Sequence, residues 1–396
     1  MDNNSTTAIH PDVVVAMLPY LRRAFGNPSS IHRFGREARQ AVDEAREKVA
    51  QLIGAKPSEV LFTSGGTEAD NLAIKGVALA AEKKGGHIIT SAIEHHAVLG
   101  PCQYLEKGGF EVTFVPVDHH GLLDPDDVKR AITDKTILIS IMHANHEVGT
   151  IEPIEEIGKL AMERNIPFHT DAVQSVGKVP LNVETLRVNL LSLSAHKFYG
   201  PKGVGALYIR KGTRISPQVY GGHQELSFRA GTENVSGIVG LGQAAEIVVH
   251  KMEAEGERLC RLRDRLWERI RGTVESVRLN GHPTKRIPNT LNVSFDLVEG
   301  ESLVINLDLG GIAVSAGSAC TSGSVEPSHV LLAMGRSPTV AKGSVRFSLG
   351  MGNTPGEIEY TADSLKEVVR RLRSASRCSE SEMAIRSHGK AVGGEA

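Results

Sequence analysis

The sequence predicts a layered α/β protein: a large domain built on a mostly parallel sheet between helices, then a smaller α+β domain. Strand-like and helix-like patterns alternate through residues 36–209, the order expected of a parallel sheet with crossover helices. Several of the strand-like runs are apolar on both faces, as strands covered by helices on both sides must be. After one long charged helical stretch the pattern changes to a second, shorter set of strands and helices.

Taken in order, residues 36–53, REARQAVDEAREKVAQLI, place Ala38, Val42, Ala45, Val49 and Leu52 at steps of four and three, the signature of an amphipathic helix. Seven β-prone runs follow: VLFT (60–63), HIIT (87–90), EVTFVPV (111–117), TILISIM (136–142), PFHTD (167–171), NLLSLS (189–194) and VGALYI (204–209). Helical stretches separate many of them, among them PIEEIGKLAMERN (153–165). A helix from about Val235 to Arg271 carries many Glu, Lys and Arg and is placed to bridge two domains. Beyond it come TLNVSF (290–295), a helix near 300–309, IAVSA (312–316), SVRFSLG (344–350) and a last helix over 355–373. The division expected is an N-terminal segment (1–14), a large domain (15–255), a small domain (256–373) and a flexible tail (374–396) with little to bury.

Bulk composition narrows the function. The chain of 396 residues is 40% hydrophobic and 23% charged, with a formal net charge of −1. That balance argues against a nucleic-acid or anionic-membrane partner. No apolar run approaches the roughly 20 residues that span a bilayer. The opening MDNNSTTAIHPD has neither the basic nor the apolar segment of a leader, so a cytoplasmic location is expected. Cys102, Cys260, Cys320 and Cys378 show no short spacing, which predicts neither a disulfide framework nor a resident metal.

Chemistry concentrates at predicted strand ends. In SLSAHKFYGPKGVG (192–205) an apolar strand runs into Ser194-Ala195-His196-Lys197. A lysine there is either a solvated loop residue or, in an apolar pocket that disfavours its ammonium, an amine able to form a Schiff base. PFHTDAVQSVGK (167–178) ends a strand on Asp171 with Gln174 three residues later. That carboxylate can cap the next helix or hold a pyridinium N–H. In TSGGTEADN (63–71) a strand, a double-glycine turn with Gly66 and a helix beginning near Thr67 make a phosphate cradle or a plain turn. SAIEHHAVL (91–99) places His95 at another strand-to-helix junction, as a structural or a catalytic histidine. Singly each pattern is common. In this order, each at a strand end, they are the parts that hold pyridoxal 5′-phosphate (PLP).

The same stretches closely resemble the NifS/IscS-type cysteine desulfurases, class V members of the fold-type I PLP enzymes. The resemblance runs from DNNSTT (2–7) to about residue 373, through FGNPSSIHRFG (25–35), FTSGGTEADNLAIKG (62–76), EHHAV (94–98), ANHEVGTIEP (144–153), HTDAVQSVGK (169–178), SAHKFYGPKGVGALY (194–208), RAGTEN (229–234), SAGSACTSGSVEPS (315–328) and VRFSLG (345–350). It implies a PLP-transferase fold with a seven-stranded sheet. It also implies conversion of L-cysteine to L-alanine, with a persulfide left on Cys320 for iron–sulfur cluster assembly or another acceptor.

Carried across residue by residue, the resemblance makes Lys197 the Schiff-base lysine and His95 the residue stacked on the cofactor ring. Asp171 takes the pyridinium and Gln174 the phenolic oxygen. Gly66, Thr67, Ser194 and His196 take the phosphate, joined by Thr232 from the second subunit of a homodimer. Arg346 receives the substrate carboxylate, a task suited to a planar guanidinium. Cys320 is the nucleophile and the one residue placed to touch a nascent Fe–S cluster in passing. Where the family reads NNE this chain has Asn145-His146-Glu147, so an imidazole stands beside the cofactor and the substrate carboxylate. The C-terminus differs from the segment with which IscS-type enzymes dock their scaffold, leaving an Fe–S scaffold or another sulfur acceptor as the expected partner. The competing readings are a selenocysteine lyase or class V aminotransferase, neither of which needs the loop thiol, and a catalytically silent scaffold.

Overall fold

The computed structural model describes residues 1–81, 85–316 and 326–391, with side chains described as far as residue 375. Cys320 and Cys378 lie outside these described side chains.

The seven expected strands form: β1 (Val60–Thr63), β2 (His87–Ser91), β3 (Glu111–Val115), β4 (Thr136–Ser140), β5 (Phe168–Asp171), β6 (Leu190–Ser194) and β7 (Gly205–Ile209). They lie side by side in the order β1-β7-β6-β5-β4-β2-β3. β7 runs antiparallel to both its neighbours and the other pairings are parallel, so six strands point the same way. β3 and β4 stop short of their predicted ends, because the chain there turns into loops instead of continuing the ladder.

Runs apolar on both sides are explained by where alternate residues go. On one face Val60, Phe62, Ile89, Ile139, Leu191 and Tyr208 join a core with the helix Arg33–Ile53, the helix Ile154–Glu163 and the first half of the helix Val235–Thr273. On the other, Leu61, Ile88, Leu138, Leu190 and Leu207 pack under the helices Gly66–Ala80 and His96–Lys107.

A second sheet has four strands in the order β10-β11-β9-β8, namely β8 (Val277–Asn280), β9 (Thr290–Phe295), β10 (Ser315–Ala316) and β11 (Ser344–Ser348), all antiparallel. Its core takes Leu259, Leu262, Leu266 and Ile270 from the far half of Val235–Thr273, so one helix serves both sheets. Only the end of the predicted 312–316 strand pairs, and β8, whose alternating VRLN is only four residues long, escapes pattern reading. The last helix, Pro355–Ala391, passes its predicted stop near 373, since 374–388 contains no Gly or Pro and several strong helix formers.

Residues 2–10 lace the two sheets together. Asp2 bridges Ser348 of β11, Asn3 N–H donates to Ser348 O (3.0 Å), Thr7 N–H to His196 O (2.9 Å) and His10 N–H to Tyr199 O (3.0 Å). Among the described residues no helix is long and apolar enough to cross a membrane.

Close backbone approach beside β6 sets a test. A Cβ on Gly205 would fall 2.6 Å from Leu193 O and 2.8 Å from the Gly65 backbone, whereas one on Gly272 meets nothing within 4 Å. Gly205→Ala is therefore expected to cost about 2–3 kcal/mol. Gly272→Ala, exposed in a helix, is expected to be neutral or to stabilise by up to about 1 kcal/mol. Thermal or denaturant unfolding measures both; equal losses for the two variants contradict the packing.

Candidate active site

The predicted residues converge where strand ends meet. Because β1, β5 and β6 are co-directional, their carboxyl ends lie on one edge of the sheet, where open α/β sheets bind ligands. There a cavity of about 210 Å³ is lined by Gly66, Thr67, Asp70, His95, His146, Asp171, Gln174, Ser194, His196 and Lys197, with Ala97, Met142, Ala144 and Val173 as apolar wall. A larger groove of about 870 Å³ opens at the opposite, amino edge, past Thr136, Pro167 and Asn189. None of the predicted site residues lines it. The chemistry therefore points to the smaller cavity.

Each side chain is held by its local structure. After β1 the chain turns through Gly65, at φ 155° and ψ −179°, a region open essentially to glycine alone. It then starts a helix at Gly66, where a Cβ would strike Val173 Cγ2 at 2.7 Å. The helix thus begins against the cavity, its first-turn N–H groups suited to an anion. β6 delivers Ser194, and the tight turn Ala195–Lys197 presents His196 and Lys197. Lys197 Nζ donates to Asn4 O (2.5 Å) and Ser5 O (2.9 Å), and His196 Nδ1 lies 3.2 Å from Thr6 Oγ1.

At the end of β5, Asp171 Oδ1 accepts the Val173 N–H at 2.9 Å. Burial pushes Asp171 up to about 7, with the nearby carboxyl of Asp70 adding to the rise. Gln174 Oε1 accepts from Lys178 Nζ at 2.8 Å while its Nε2 donates to Asn4 O at 3.0 Å, which fixes the amide's orientation. His95 caps the helix His96–Lys107, its Nδ1 accepting the Ala97 N–H at 3.1 Å. The neutral ring accordingly carries its proton on Nε2. Burial, with the Lys197 charge adding, lowers His95 to about 4, so it is neutral near pH 7.

His146 is buried on the cavity wall and meets His95 edge-on, ring centres 5.1 Å apart at 83°. Burial lowers it well below the usual histidine range, and the neighbouring imidazole of His95 adds to this, since the two rings disfavour being charged together. Its carbonyl accepts from Arg346 Nη1 at 2.9 Å, which ties β11 to the cavity wall although Arg346 itself does not line it. Thr232 is exposed and away from the cavity.

Three contributors escaped sequence reasoning. Asp70, buried on the helix that starts the cradle, is raised to about 7 by burial and lies 3.5 Å from His169 Nε2. Its signal was an acid on the apolar face of a helix. Lys178 and Asn4 carried no signal, because their importance lies in hydrogen bonds between segments far apart in sequence.

Such a donor set fits PLP on the structure's own terms. The glycine cradle and helix start suit a phosphate. A cation set against Asp171 reverses the shift that burial imposes, and a pyridinium is such a cation.

A six-plus-one sheet with a lysine, a histidine, a carboxyl and a helix start gathered at its carboxyl edge is the architecture of fold-type I PLP-dependent enzymes. Within that class the chain belongs to the class V aminotransferase family, whose model matches residues 1–361, and there to the NifS/IscS-type cysteine desulfurases. It is 57% identical over 376 residues to a protein named cysteine desulfurase IscS from Dictyoglomus turgidum, spanning 95% of both chains. A protein of the same name from Methanosarcina thermophila is 53% identical, across 95% of this chain and 93% of its own. Among solved structures, a NifS-like protein superposes with a TM-score of 0.88 at 41% identity, covering 93% of this chain and 98% of its own. SspA in complex with cysteine gives 0.79 at 40% identity, covering 88% and 97%.

The burial of Asp171 makes a signed prediction for the cofactor-stripped chain. Between the ordinary carboxylate range and about pH 7 the unfolded chain has lost the proton that the folded chain keeps, so this group's contribution to stability falls as pH rises across that window. Asp171→Asn removes that contribution. The melting temperature of the variant minus that of wild type is expected to become more positive between pH 4 and pH 8, while a flat difference contradicts the assignment.

Proposed function

We propose that this chain is a PLP-dependent L-cysteine desulfurase that forms L-alanine and leaves the sulfur as a persulfide on Cys320. The observation that carries the reading is the single cavity in which Lys197, His95, Asp171, Gln174 and the Gly66–Thr67 helix start meet. Lys197 would attach the cofactor, with Asp171 available to its ring nitrogen and Gln174 to its phenolic oxygen. Gly66, Thr67, Ser194 and His196 would hold the phosphate, and His95 and His146 would bind beside the ring. When bound, PLP supplies an electron sink for the bond-breaking at the substrate's α- and β-carbons.

The chain's own groups do the rest. Arg346 binds the substrate carboxylate, and the Lys197 amine takes the proton from Cα. The Cys320 thiolate attacks the substrate Sγ: an S–S bond forms, the C–S bond breaks with its electron pair left on Cβ, and protonation of Cβ together with return of the proton from Lys197 to Cα completes alanine. Thiolate is required for that attack. His95, neutral with its proton on Nε2, donates a hydrogen bond rather than adding charge beside the cofactor.

The functional unit in this reading is a homodimer. Val15, Leu21, Phe25 and Ile31 leave 62–91% of their surface exposed along the first helix and the loop after it. So much apolar surface in one stretch favours cover by a second copy. The exposed Thr232 would then reach the second subunit's cavity. The reading further places the enzyme in the cytoplasm, handing sulfur to an Fe–S scaffold or another acceptor protein.

Mass spectrometry after incubation with cysteine tests the chemistry. A sulfur-sized mass increase on the Cys320 peptide, absent from Cys320→Ala together with sulfide release, is expected. Undiminished alanine and sulfide production by Cys320→Ala sinks the persulfide route. Lys197→Ala is expected to lose the visible absorption of the bound cofactor and at least about 10³-fold in kcat.

A further inference from the structure

The guanidinium of Arg346 is already engaged. Nη1 donates to His146 O at 2.9 Å, while Nη2 donates to Ser5 Oγ at 2.8 Å and Asp2 Oδ1 at 3.1 Å, with Ser315 Oγ at 3.3 Å. Ser315 Oγ in turn donates to Asp2 Oδ1 at 2.8 Å. Nη2 thus meets three acceptors with two N–H bonds, whereas Nε is buried with no hydrogen-bond partner among the described residues. Arg346 is 6% exposed. The Asp2 side chain is 25% exposed.

A carboxylate therefore already occupies one side of the fork, through a single oxygen. Two carboxylates at one guanidinium repel each other, and each weakens the other's hold. A ligand carboxylate that engages two N–H groups in parallel gains more than the one-oxygen contact it replaces. The displaced Asp2 side chain, partly exposed, has water to move into.

We propose that Asp2 sets the affinity of the desulfurase site for carboxylate ligands: its carboxylate is a built-in competitor for Arg346 that the substrate's carboxylate displaces. The inference rests on the reading of Arg346 as the receiver of that carboxylate. Asp2 keeps a buried arginine compensated when no substrate is present, where a bare buried charge is costly. It also lowers the affinity for every carboxylate ligand, alanine included, so product does not linger. Ligands without a carboxylate cannot make the exchange.

Asp2→Asn tests this in the holoenzyme, since Asn keeps the acceptor for Arg346 and Ser315 and removes only the charge. The KM for cysteine and the Kd for L-alanine, the latter by spectral titration or calorimetry, are expected to fall about five- to tenfold. The KM for cysteine methyl ester is expected to stay unchanged. Asp2→Ser, a second neutral replacement, is expected to shift both constants in the same direction, and serves if Asn impairs folding. Unchanged or weaker alanine binding in the neutral variants overturns the proposal and makes Asp2 a support for the arginine. Arg346→Gln separates the two claims. If it weakens cysteine and spares the ester while Asp2→Asn does nothing, only the competitor idea fails. If Arg346→Gln leaves cysteine unaffected, the carboxylate-receiver reading itself fails.

Discussion

Everything at this site hangs on the passage of residues 2–7 between the two sheets, and within it on Asn4. That residue is 1% exposed, and each of its polar groups is used. Its N–H donates to Ser348 Oγ on β11, and its Nδ2 to Thr290 Oγ1 on β9 and to the His146 carbonyl. Its Oδ1 accepts from Lys178 and Asn289, and its carbonyl from Gln174 and Lys197. One buried amide thereby sets the distance between the strand bearing Arg346 and the turn bearing Lys197. A buried polar network of this kind specifies geometry strongly because each unmade bond in it is expensive.

A second constraint is electrostatic. Burial drives Asp70, Asp171 and Glu147 up to about 7 and His95, His143 and His196 down to about 4, so opposite kinds of group are pushed toward their neutral forms. Such a cavity favours a ligand that brings its own charges, cationic beside Asp171 and anionic at the helix start. Glu147 shows how far the order extends. Ser328 donates to it at 2.5 Å and His146 Nε2 stands 3.6 Å away, so the glutamate of the Asn145-His146-Glu147 stretch links the cavity wall to the chain on the far side of the Cys320 segment.

Much of this was legible beforehand, for identifiable reasons. β1 to β7 were readable because helices cover both sheet faces, which forces apolar runs such as GALYI in β7. Gly66, Ser194, Lys197, His95 and Asp171 were readable because strand ends display chemistry at fixed offsets from apolar runs. The helix Pro11–Arg22 was missed, its apolar residues half exposed and Pro19 inside it. The strand β8 was missed because edge strands need little apolar patterning. Thr232 is exposed and outside the cavity, and one chain has no partner surface to bring it to. The loop thiol Cys320 was legible only as a lone cysteine among small residues.

The sequence by itself determined the family and which side chains to expect at the strand ends that meet in the cavity, because residue type, order and spacing at strand ends are local properties. Only the tertiary structure decided how those side chains are held: that Lys178 orients Gln174, that Asp70 lies under Asp171, that Asn4 joins both sheets to Lys197, and that Asp2 already grips Arg346. Lys178 and Gln174 are four residues apart, but the other contacts join segments from about one hundred to more than three hundred residues apart, in surroundings set by burial. Neither separation in space nor loss of water is written in the periodicity of a chain.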